Sequence, residues 1–78
     1  MFNRRRKRQA KQAYTAEVCK LALYARGMCV DALWVASDSA VAYGLSTALD
    51  EYDKALRLIR CRLTQRPDLG RLIDQTIV

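Results

Sequence analysis

The chain has no histidine, one proline, three isolated glycines and three cysteines, an odd number at wide and irregular spacing. General acid–base and nucleophilic chemistry leans on histidine, or on a pair of carboxylates held in a cleft. The first is missing, and two short helices and a remnant do not wall off a cleft for the second, so no catalytic role is expected. Gly27, Gly44 and Gly70 never cluster, which leaves no glycine-rich loop to cradle a phosphate. Cys19, Cys29 and Cys61 make neither a disulfide framework nor a C-x-x-C pair, and a tetrahedral zinc site would need all three thiols plus a carboxylate. No metal, cofactor or small-molecule substrate is expected. The thiols read instead as small apolar residues off the helical seams, in a chain that stays reduced.

Long hydrophobic runs are lacking as well. Residues 21–45 form the most apolar stretch, yet Arg26, Asp31 and Asp38 interrupt it, each costly at a bilayer centre. A single basic segment does not hold a protein on a membrane, since stable attachment takes two anchoring signals. The basic N-terminus is followed by Gln, Lys, Gln and Tyr rather than by an apolar core, unlike a secretory signal, so a cytoplasmic location is expected.

Positive charge, by contrast, is plentiful and unevenly placed. Of 14 basic residues, six (Arg4, Arg5, Arg6, Lys7, Arg8 and Lys11) fall within residues 1–12, where there is no acid; the other eight balance the eight acids. The formal charge of +6 therefore belongs to an arm, residues 1–12, either partly disordered or a helical extension, ahead of a helical domain at 13–78. In composition the run from Asn3 to Gln12 resembles the arginine-rich helical peptides with which some viral and phage regulators bind RNA. The likeness covers ten of the 78 residues. No aromatic residue interleaves the basic ones, so backbone electrostatics rather than base stacking would dominate.

The rest is all-α. Apolar residues at Tyr14, Val18, Leu21, Ala25 and Met28 alternate spacings of four and three, which predicts a helix from about Gln9 to Arg26 with Gly27 as its C-cap. An apolar connection comes next, with Val30, Leu33, Trp34 and Val35. Ser37, Asp38 and Ser39 are good N-caps for a second helix, Ala40 to Gln65, whose seam runs Ala42, Leu45, Leu49, Tyr52, Leu56, Ile59 and Leu63. Asp50/Lys54 and Asp53/Arg57 are candidate i,i+4 ion pairs on it. Pro67 stops that helix, and Leu69, Leu72 and Ile73, with Asp68 as a candidate cap, make a short third.

A short connection makes the long helices antiparallel, with Ala25 near Ala42 and Tyr14 near Tyr52 to Leu56. The second helix would overhang the first and leave Ile59 and Leu63 uncovered, facing Lys7 and Lys11. Either the third helix folds back over them or a second subunit does, and the expectation is a homodimer in which two hairpins form a four-helix bundle. The same pairing gathers Arg57, Arg60 and Arg66, with Arg62 and Arg71, beside the arm, and such a gathering of like charge favours a polyanion. This leaves two functional readings. One is a small non-enzymatic regulator that binds RNA or DNA electrostatically through Arg4, Arg5, Arg6, Lys7, Arg8, Lys11, Arg57, Arg60 and Arg66. The other is a protein-interaction module of phage or bacterial type, an inhibitor, chaperone or adaptor, that docks a partner through Val30, Leu33, Trp34 and Val35 or through the Ile59/Leu63 stripe; an acidic protein surface is the alternative partner for the basic pole.

Overall fold

In a computed structural model the backbone is described from residue 2 to 77 and the side chains from residue 10 to 77. Three helices make up the fold: α1, Phe2–Val35; α2, Ser39–Arg62; and α3, Pro67–Thr76. The two long helices pack side by side as an antiparallel hairpin, and α3 folds back against both. The result is elongated, 56 × 20 × 15 Å, because α1 alone is 34 residues long.

The first helix is longer than its sequence predicts at both ends. Gly27 is no cap: α1 runs straight through it, its φ is not positive, and a Cβ there would meet nothing within 4 Å. A mid-helix glycine costs roughly 0.5–1 kcal/mol against alanine. That cost is offset because residues on the far side, Val30 and Leu33, reach α2 only if the helix continues. The apolar connection from Met28 onward is therefore helical as far as Val35, and the true turn is Ala36, Ser37 and Asp38. Asp38 caps α2, its Oδ1 accepting from the amides of Ala40 at 2.8 Å and Val41 at 3.2 Å.

The seam of α2 is as expected. Leu56 and Leu63 are buried, and Ala42, Leu45, Leu49, Tyr52 and Ile59 are half-buried. The seam of α1 is not the expected one. Ala16 and Cys19 are buried and Leu23, Arg26, Val30 and Leu33 half-buried, a four–three series that starts at Gln12 and lies on the side opposite Tyr14, Leu21 and Met28. Those three are 73%, 66% and 56% exposed. Tyr14 is thus not a core residue, and Cys19, at 0% exposure, is one.

The longer helix also shifts the pairing. Ala25 does not face Ala42; its neighbour Arg26 meets Asp53, with Arg26 Nε donating to Asp53 Oδ1 at 2.6 Å. At the other end Gln12 holds the close of α2, its amide donating to the Arg62 carbonyl at 2.7 Å and accepting from the Gln65 amide at 3.3 Å. Asp53 is consequently not paired with Arg57, and Lys54 pairs with Glu51 rather than Asp50.

The second helix ends three residues earlier than expected, at Arg62, with the Leu63 amide bonded to the Ile59 carbonyl. Arg66, before Pro67, takes an extended φ of −131°, as the proline ring demands, and it rather than Asp68 is the N-cap position of α3. From there α3 lays Leu69 and Ile73 into the core formed by Ala16, Cys19, Leu56 and Leu63, with Ile59 and Ile77 packed against it. The stripe of Ile59 and Leu63 is therefore covered within the chain, and Leu63 is only 6% exposed. Cover by a second subunit is not needed there.

Candidate nucleic-acid interface

The basic arm and the end of α2 meet where Gln12 bridges them, so Gln12 is level with Arg62 and Gln65. Backbone helix continues from there back to Phe2, which at 1.5 Å per residue carries α1 about 15 Å beyond the close of α2. No break in the helix separates residues 2–12 from residues 13–35. The side chains of Arg4, Arg5, Arg6, Lys7 and Arg8 lie outside the described residues. Their positions on the helix do not: at 3.6 residues per turn, positions 4, 7, 8 and 11 share one face.

Around the bridge lies an open concavity of about 610 Å³, lined by Lys11, Gln12, Tyr14, Thr15, Arg62, Thr64 and Gln65. Lys11 and Arg62 are exposed cations at its rim, and among the described residues neither pairs with an acid. The same is true of Arg57 and Arg71. Arg60 and Arg66 differ. Arg60 grips Asp74 of α3, with Nη2 to Oδ2 at 2.7 Å, and Arg66 holds Asp68 through two bonds of 3.1 and 3.0 Å. Both expected phosphate ligands are thus engaged in fastening α3, and Arg62 takes their place at the pole. Nothing in the sequence spacing marks Gln12 as the bridge, because a lone glutamine in a polar run carries no pattern of its own.

The Arg66 guanidinium, hydrogen-bonded to Asp68, holds that carboxyl down to about 2 from an ordinary value of 3.8. A carboxylate depressed in the folded state stabilises it at pH values above 3.8, and that contribution is lost as the pH falls toward about 2. Titration of the Asp68 carboxyl carbon by NMR should give a midpoint near 2, and Arg66→Gln should return it toward its ordinary value. A midpoint near 3.8 in the parent protein would mean that the pair does not form in solution.

At the opposite end of the hairpin, Val30, Leu33 and Trp34 do come together, with Leu49, around an open apolar hollow of about 390 Å³. Trp34 stands at its edge, 84% exposed. It lies within α1, two residues before the turn at residues 36–38, and is not packed down over it. Of the thiols, Cys19 is buried, and burial raises its pKa, so the arginines of the pole do not activate it; Cys29 is half-buried and Cys61 exposed. Among the described residues no helix is long and apolar enough to cross a membrane. No family model, curated protein or solved structure matches the chain.

Proposed function

We propose that this protein is a non-enzymatic binder of nucleic acid, holding the phosphate backbone of RNA or DNA at its basic pole without reading much sequence. The observation that carries the reading is the unbroken course of α1 to Phe2: the arginine-rich run sits on a helix that projects past α2. A helix offers a duplex groove a rod of fixed direction, with Arg4, Lys7, Arg8 and Lys11 along one face. Lys11 and Arg62 extend the positive surface into the concavity below, where Thr64 and Gln65 supply further polar groups. Arg57 and Arg71 add unpaired charge nearby, while Arg60 and Arg66 serve the fold.

Each phosphate neutralised releases counterions, so binding through six arm cations should give a log–log salt slope of about −5 on duplex DNA. Between 50 and 200 mM salt the affinity should fall roughly a thousandfold. Replacing the six arm residues by Gln should abolish binding, measured by fluorescence anisotropy with a labelled duplex, and leave the helix content of residues 13–78 intact by circular dichroism. Binding without a salt slope, or retained by that variant, overturns the proposal.

A second reading, docking of a partner protein, is favoured by Trp34, whose exposure beside the Val30/Leu33/Leu49 hollow is unusual for the costliest apolar side chain to leave in water. The two readings separate in one pull-down from lysate with and without nuclease. Partners lost on nuclease treatment and on arm substitution belong to the first, and partners lost only on Trp34→Ala belong to the second.

A further inference from the structure

The face of α1 that turns away from α2 is itself a seam. Tyr14, Leu21, Met28 and Val35 recur at seven-residue intervals and are 73%, 66%, 56% and 82% exposed. Between them, at the intervening four–three positions, lie Val18, Ala25 and Ala32. Three heptads of apolar residues on one straight helix is the pattern that buries itself against another helix of the same kind. Val18, Ala25 and Ala32 are half-buried, but the Tyr14, Leu21, Met28 and Val35 side chains stay open, because the Gln12–Leu33 side of α1 is the one packed against α2 and α3.

Charge says what the second helix is. Residues 27–53, the turn end of the hairpin, contain Asp31, Asp38, Asp50, Glu51 and Asp53 and no lysine or arginine. Only Asp53 and Glu51 have basic partners among the described residues, Arg26 and Lys54. The arm at the other end has six cations and no acid. The molecule is thus a rod 56 Å long with an acidic extremity and a basic one.

We propose that a second copy of the chain lies antiparallel along the outer face of α1, with each basic arm beside the partner's acidic turn. Packed helices stand about 8–10 Å apart, within a Debye length at moderate salt, so the charges at the two ends feel one another. In the antiparallel register that sets Tyr14 against Ala32 and Leu21 against Ala25, residue 8 falls opposite residue 38, so each arm runs beside the acidic turn at Asp38, with Asp31 one helical turn from Lys11. A parallel arrangement would instead set two six-cation arms side by side. The antiparallel seam also lets large residues face small ones, Tyr14 and Leu21 against the alanines at 25 and 32. This dimer uses a face different from the Ile59/Leu63 stripe, which α3 covers. It does not rest on nucleic-acid binding, and it leaves the two arms at opposite ends of the pair.

Sedimentation equilibrium of the nuclease-treated, full-length protein from 10 to 100 µM tests it. The expected mass is twice 8.9 kDa. Leu21→Lys with Met28→Lys should give the single-chain mass with unchanged helicity by circular dichroism, since both side chains are exposed in the folded chain. Asp31→Lys should weaken the dimer at 50 mM salt and much less at 500 mM, as expected of a charge one helical turn from the partner's Lys11 at the root of the arm. A parent protein that stays monomeric at 100 µM, or a dimer indifferent to the double lysine variant, overturns the surface. A dimer that Asp31→Lys leaves unchanged at low salt overturns the antiparallel orientation. Nucleic-acid binding retained by the arm-to-Gln variant would overturn the binding reading and leave the dimer standing, whereas a parent protein that binds nucleic acid with a salt slope yet stays monomeric would overturn the dimer alone.

Discussion

Leu56→Ala is expected to destabilise the fold by about 2–5 kcal/mol, the largest effect of any single core truncation in the chain. Leu56 has no exposed surface and sits where all three helices meet, against a cluster that takes Ala16 and Cys19 from α1, Leu63 at the end of α2, and Leu69 and Ile73 from α3. Its neighbours Ala16 and Cys19 are small and stiffly placed on a helix, so they cannot swing in to fill the space that the leucine leaves. A protein of this length has a total stability of only about 4–12 kcal/mol, so the substitution removes a large part of it. At several degrees per kcal/mol, the melting temperature should fall by roughly 10–30 °C. Urea and thermal unfolding followed by circular dichroism, at one fixed protein concentration so that self-association is held constant, measure it. Leu58→Ala is the control. Leu58 lies two residues away on the exposed side of α2, 58% exposed, and should change stability by no more than about 0.5 kcal/mol. Equal effects from the two would mean that α3 does not close over Leu56 in solution.

The contrast between Leu56 and Leu58 was legible in the sequence, and the corresponding contrast in α1 was not. Along α2 a single four–three series of large apolar residues stands out against charged neighbours, so periodicity alone names the buried side. Along α1 two such series share the helix, half a turn apart. One has the large side chains, Tyr14, Leu21 and Met28; the other has Ala16, Cys19, Leu23 and, in its middle, Arg26. Hydrophobicity alone favours the first, and the fold uses the second. The reason is closeness: small residues at Ala16 and Cys19 let α2 and α3 both approach, whereas a tyrosine would hold them off. An arginine in an apolar series reads as an interruption until its partner is known, and Asp53 lies 27 residues away in sequence. Gly27 misled for a related reason. A glycine after a basic residue resembles a C-cap, but the apolar residues at 30 and 33 keep the four–three count of the buried series unbroken through it. The basic pole followed from the hairpin topology and needed no register. Its individual members did need it, since only the fold-back of α3 reveals that Asp74 and Asp68 claim Arg60 and Arg66.

Asp53→Ala should be the second most damaging substitution and the most informative about register. The carboxylate and the Arg26 guanidinium are 19% and 17% exposed and 2.6 Å apart between the long helices. Removing the acid strands a cation that is mostly out of water, a loss of about 3–5 kcal/mol for a fully buried pair and less here because both groups keep some contact with solvent. A cost of roughly 2–3 kcal/mol is expected, with Arg26→Ala costing a similar amount. The two together should cost distinctly less than their sum, with a coupling of about 1–2 kcal/mol in the double-mutant cycle. Asp53→Leu combined with Arg26→Met should recover most of the stability, because hydrophobic replacement of a desolvated pair is often neutral or better. That recovery carries a consequence for specificity. The apolar series on α1 and α2 repeat every seven residues, so sliding one helix by a heptad would still bury leucine against leucine. Arg26 and Asp53 occur once in the series and match in one register only, the register in which Gln12 reaches Arg62 and the arm clears the end of α2. The Leu/Met variant should therefore be stable and yet weaker in binding polyanions if its hairpin samples slipped pairings that draw the arm back alongside α2. A variant that regains stability and keeps the parent's salt-dependent affinity would show instead that Gln12 and the fold-back of α3 hold the register without the ion pair.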